Sequence, residues 1–221
     1  MKRIVFGLAF LVMLAASATH AKDIVVEPKG VYKTIDTRLT TATIKSLQAA
    51  KPGKDRNALI ATIAGAPENY APPLFYLLSS VLLQEGRSDE AMFWFYAGQL
   101  RCRIDANICA DVSARNAVPT LNQMYGKPIN QYAFQDIPKL KQTVEKVLAW
   151  EEKTGCKYDR RWINLHGMNA FGANTNAPLS APSAEWEGIR KKTRDDYRAS
   201  FYEMLKRLDV KKTVKPVATP K

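Results

Sequence analysis

Long apolar runs are missing from this 221-residue chain except at its very start, and without them it is not a polytopic membrane protein. Cysteine is scarce. Three residues exclude a disulfide-dense miniprotein and leave at most one internal bridge. Histidine is scarcer still, two in all, and only His166 lies beyond the first 21 residues. One histidine and no Cys-x2-Cys pair predict no zinc site, and no other metal or cofactor is expected. No Gly-x-Ser-x-Gly elbow, Ser-x2-Lys, His-Glu-x2-His or glycine-rich phosphate loop occurs, so no catalytic motif stands out. Paired alternating runs that would form a β-hairpin are absent as well. What is present is 46% hydrophobic residues, too many for a disordered chain and enough for one core.

The chain begins like a secretory signal. Lys2 and Arg3 precede a thirteen-residue apolar run, Ile4 to Ala16, and small residues follow. Thr19-His20-Ala21 predicts cleavage after Ala21, with Ala16-Ser17-Ala18 as the alternative. No cysteine sits at the junction to carry a lipid anchor, so the expected destination is the periplasm or the medium. Export lowers the net charge from +12 to +10, and Lys206 to Lys221 hold +5 of that. Residues 210–221 read as a disordered basic tail, either drawn to an anionic membrane surface or simply solubilising. Nucleic acid is not an expected partner, given export and no recognition motif.

Residues 22–38 read as an extended segment, with Ile24-Val25-Val26 a possible short strand, and residues 39–209 as a single α-helical domain. Thr40 or Thr41 can cap a helix through Ala50, and Asp55 the next. Pro72-Pro73 opens a helix to about Gln84, and Ser88 caps another whose Asp89 and Glu90 face the helix dipole. Ala91 to Gly98 is apolar nearly all round, which predicts a central helix. A helix from about Cys109 to Tyr125 is expected to end at Gly126 and to be split or kinked by Pro119. Asp136 caps another, ended by Gly155. Ser183 caps the last, whose apolar stripe is Trp186, Ile189, Tyr197, Phe201, Leu205 and Leu208. The fold class is all-α, an irregular domain of seven or eight helices.

Residues 72–103 carry a pattern: Leu78, Ser79 and Leu82, then Gly86, then Ala91, Phe95 and Gly98. It resembles one tetratricopeptide-type helix–turn–helix, and Asp89-Glu90-Ala91-x2-Trp94-Phe95 resembles a Sel1-like repeat. The small residues would let the two helices approach while Leu78, Leu82 and Phe95 fill between them. No second copy lies one period away. The resemblance implies a protein-binding scaffold rather than an enzyme.

Export favours oxidation, and the expected bridge is Cys109–Cys156, both beside turns, with Cys102–Cys109 second. His166 is a weak candidate for a general base beside Asp159 or Glu151. Glu151-Glu152, Asp89-Glu90 and Asp195-Asp196 suit glycan hydrolysis by type but read as helix-surface charges. Arg101, Arg103, Arg160, Arg161 and Trp162 form a candidate surface for an acidic protein partner, unless the arginines pair with Asp105, Asp111 and Asp159. The expected function is that of an exported, non-enzymatic binding protein, in concrete form an immunity-type inhibitor of an exported toxin. An envelope accessory factor held by its tail and an unrecognised hydrolase are the alternatives.

Overall fold

A computed structural model describes residues 28–171 and 178–213, and side chains as far as Leu208. The signal pattern, Ile24-Val25-Val26 and residues 214–221 lie outside the described residues. Seven α-helices make up the described chain: α1 (Arg38–Ala49), α2 (Lys54–Gly65), α3 (Pro73–Gln84), α4 (Ser88–Ile108), α5 (Ala117–Ala133), α6 (Ile137–Lys153) and α7 (Trp186–Thr213). Short 3-10 turns join them, and the only strand-like feature among these residues is a single bridge between Cys109 and Ser180. The protein is all-α.

α4 is the centre, as its apolar circumference requires. It packs against α3, α5, α6 and α7. Its pairing with α3 rests on the residues that the repeat pattern singled out. Leu78, Ser79, Leu82 and Ala91 are fully buried, and Phe95 is nearly so. A Cβ on Gly98 would come within 3.2 Å of both Phe75 and Tyr76, so glycine sets how closely the two helices approach. The turn between them closes on Gly86 at φ 75°. There the Arg87 N–H donates to the Leu82 carbonyl at 2.9 Å and the Gly86 N–H to Leu83 at 3.0 Å. That pair of bonds is a Schellman motif, which needs a left-handed residue.

Caps follow local chemistry with some shifts. Asp136 caps α6, its carboxylate accepting from the Lys139 N–H at 3.0 Å. Asp136→Ala should cost about 1 kcal/mol, read as a lower urea midpoint with an unchanged slope. Ser88 is the first residue of α4 rather than its cap, and Asp89 and Glu90 lie in the first turn as expected. α1 starts before Thr40, whose hydroxyl is spent inside the fold, accepting from the Ala71 N–H at 3.0 Å. Gly53 takes the cap position of α2, and Asp55 sits in its first turn.

The expected helix from Cys109 to Tyr125 is the clearest departure. The chain leaves α4 at Cys109, and Asp111 caps a 3-10 turn, Val112–Asn116, before α5 begins. Pro119 falls in the first turn of α5, where a missing N–H costs nothing. Gly126 does not end the helix. It lies inside α5, where a Cβ would meet the Phe95 ring at 3.1 Å, so it is a packing glycine. α7 stays helical to Thr213, beyond the expected start of the tail at residue 210.

Candidate functional site

Several residues that the sequence marked for chemistry fall in two regions that share Trp162: a buried polar cluster behind α4 and an apolar groove.

The cluster is organised by Asp105 of α4, which is fully buried. Its Oδ2 accepts from the Tyr158 hydroxyl and from the Trp162 indole N–H, both at 2.8 Å. Arg160 lies 3.4 Å from Oδ1, and both of those atoms lack a hydrogen-bond partner among the described residues. Burial pushes the Asp105 carboxyl up to about 6, against the pull of Arg160, Trp162, Tyr158 and Arg101. Arg101, only 1% exposed, donates to the carbonyls of Pro67, Thr154 and Gly155 at 3.0–3.3 Å. Its guanidinium stacks 4.3 Å from the Trp150 ring centroid. One side chain thus ties α4 to the entry of α3 and the exit of α6.

This placement corrects the expected partner surface. Arg101, Arg160 and Trp162 are interior residues whose donors are turned inward. Arg161 is held by Asp159 in a bidentate pair, with bonds of 2.9 and 2.7 Å, and also reaches Thr34. Pairing with Asp105 and Asp159 therefore wins for Arg160 and Arg161. Asp111 is used differently, accepting from Ser113 and from the Asn169 N–H. Of the five residues, Arg103 alone is exposed without a carboxylate partner among the described residues; it lies 5.5 Å from the Tyr197 ring centroid.

The cysteines are free thiols, and the expected Cys109–Cys156 bridge is not formed. Cys109 donates to Asn164 Oδ1 at 3.2 Å, while Cys156 faces the Tyr158 carbonyl at 3.7 Å, so the two belong to different local networks. Burial raises all three thiols, Cys109 to about 11. None is an activated nucleophile.

The groove, of about 510 Å³, is bounded by α1, the start of α3, the first turns of α5 and the 3-10 turn Arg160–His166. Ile44, Pro73, Leu121 and Met124 give it an apolar wall, and Thr37, Thr41 and Thr120 add hydroxyls. Trp162 and His166 close one side, edge to face with ring centroids 5.6 Å apart. The sequence could not assemble this lining, because Thr41 read as a helix cap and the parts come from four distant segments.

His166 is the one ionisable side chain in the lining. It keeps an exposed edge, yet desolvation by the surrounding protein lowers its pKa and favours the neutral ring. The carboxylates imagined beside it are committed elsewhere. Asp159 accepts from Arg161 and from the Asp36 N–H. Glu151, read as a surface charge, is fully buried between Arg190 and Arg194 of α7. Asp89 pairs with Lys139, Asp195 with Lys191 and Asp196 with Lys192, all on the surface as expected. Among the described residues no cluster of three potential ligands could hold a metal, and no helix is long and apolar enough to cross a membrane.

No family model matches the chain, and no solved structure matches it. An uncharacterized protein of Haemophilus influenzae is 28% identical over 122 residues, 54% of this chain. The match spans 44% of that relative, less than half its length.

Proposed function

We propose that the protein is an exported, non-enzymatic helical binding protein whose groove takes up an apolar portion of a partner protein. The groove lining carries this reading. An apolar wall with a few hydroxyls suits recognition by burial, with polar groups fixing orientation. Its one ionisable residue, His166, stands without a carboxylate in the lining to orient it or to share a proton, which acid–base chemistry would need. Among the large exposed hydrophobics of the described residues, Met124 lines the groove itself and Leu39 lies on α1, which borders it. Export rests on the signal pattern of residues 1–21. An immunity-type inhibitor of an exported toxin is one form of this reading, supported by the repeat-like α3–α4 pair.

Photo-crosslinking in the producing cell tests it. A benzophenone side chain at Met124, 65% exposed in the groove, should give one discrete protein adduct. The same probe at Lys191 on α7 should give none. No adduct at Met124, or the same adducts from both positions, overturns the reading.

A further inference from the structure

Twelve arginines have described side chains, and most are spoken for. Eight pair with carboxylates, and both terminal nitrogens of Arg101 donate to backbone carbonyls. The remaining three, Arg103, Arg115 and Arg207, pair with no carboxylate among the described residues. All three line one continuous cleft beside α7, which shares no lining residue with the groove.

The cleft consists of three adjoining hollows of about 320, 250 and 560 Å³. Arg103, Tyr197 and Ser200 line both the first and the second, and Ser200 and Met204 both the second and the third. Arg115 stands in the first and Arg207 in the third, with Arg103 between them. The floor is apolar and aromatic, built from Tyr96, Phe134, Phe201 and Met204. Two acidic residues also border the cleft, Asp196 and Glu203. Lysines of the same helix engage both, Lys192 at 2.6 Å and Lys206 at 2.9 Å.

We infer that this cleft is a docking site for an acidic segment of a partner protein, one that carries apolar side chains between its carboxylates. The inference goes beyond the groove reading and does not rest on it. The arginines come from α4, the turn Val112–Asn116 and α7 and are spread along the cleft instead of converging on one point, so they fit several anionic groups in a row and not a lone oxyanion. From Thr193 to Leu208 the helix runs ~22 Å, which an extended peptide of about seven residues spans. The floor would bury that peptide's apolar side chains, and arginines on the rim give bidentate contacts to carboxylates. A bilayer surface matches this shape less well, since its phosphates would have to enter a concave cleft to reach Arg103.

The test selects random twelve-residue peptides, displayed on phage, against the purified exported protein. Enriched peptides should combine Asp or Glu with apolar residues. Synthesised with a fluorescein label, they should bind by anisotropy and weaken as salt is raised. Arg103→Ala with Arg115→Ala should weaken them tenfold or more, with an unchanged melting midpoint. Lys51→Ala with Lys54→Ala, exposed at the α1–α2 junction and outside the cleft lining, should change affinity less than twofold. The charge-reversed pair Arg103→Glu and Arg115→Glu should lose the acidic peptides even where the alanine pair proves unstable. Enriched peptides without acidic residues, equal binding to all variants, or arginine-dependent binding only to phosphatidylglycerol vesicles overturns the inference.

Discussion

Glu151→Gln should remove about 3–5 kcal/mol of folding stability and lower the thermal midpoint by roughly 10 °C. The Glu151 side chain is fully buried, and both oxygens are used. Oε1 accepts from Arg190 Nε and Nη2 at 3.1 and 3.0 Å, and Oε2 from Arg194 Nη1 at 2.8 Å. Arg190 also donates to the Glu151 carbonyl at 2.9 Å. This trio joins α6 to the first half of α7. Glutamine keeps the shape but removes the charge, and its amide turns a donor toward two guanidinium groups. Arg190 then keeps only the exposed Glu187, at 2.7 Å, and Arg194 only Glu187 and Glu152, at 3.8 and 4.0 Å, so two largely buried cations lose their one buried counter-ion, which is where the large cost arises. Glu152→Gln is the control. That side chain is 68% exposed and reaches Arg194 only at 4.0 Å, so its loss should stay within about 0.5 kcal/mol. Replacing all three partners by Leu or Met should recover most of the stability, because the desolvation cost leaves with the charges. Urea denaturation checks each case. A Glu151→Gln protein within 1 kcal/mol of the parent would mean that the trio does not hold α7 in place.

The sequence spoke clearly where structure follows from neighbours along the chain. The α3–α4 pair was readable from Pro72-Pro73, Gly86 and Asp89-Glu90, because each signal acts within one or two turns. The stripe of α7 was readable for the same reason, with Tyr197, Phe201 and Leu205 buried. What misled was any residue whose role is set from across the fold. Gly126 looks like a helix stop until Phe95 of α4 is laid against it. Arg101 looks like a surface cation until Trp150 and three carbonyls from two loops surround it. Arg190 and Arg194 sit on the polar side of the α7 stripe, and only the buried Glu151 draws them inward. The groove was hidden for a related reason. Ile44, Pro73, Leu121 and His166 each suit an ordinary helix or turn, and only tertiary packing makes a wall of them.

Arg160→Met should destabilise the protein strongly at pH 8 and much less at pH 5. Asp105 already has a carboxyl raised to about 6 by burial, even with Arg160 at 3.4 Å. The folded state therefore binds its proton more tightly than the unfolded chain does. With a folded pKa above the unfolded one, this carboxyl imposes no penalty below about pH 4. The penalty develops as pH rises through about 6. Removing the Arg160 cation takes away the nearest compensation and pushes the carboxyl higher still. At pH 8 the variant must bury an uncompensated carboxylate, a loss of about 3–5 kcal/mol. At pH 5 Asp105 is protonated and can still receive the Tyr158 and Trp162 bonds at 2.8 Å, so most of that loss disappears. The double variant Asp105→Asn with Arg160→Met should be nearly as stable at pH 8 as at pH 5 by this route. His166, whose pKa is lowered by desolvation, is unchanged in both proteins, so its contribution cancels from their difference. Urea midpoints of the two proteins at pH 5 and pH 8 decide the matter. If Arg160→Met loses the same stability at both values, the carboxyl of Asp105 is not the group that titrates, and the cluster behind α4 is held by its hydrogen bonds and not by its charge.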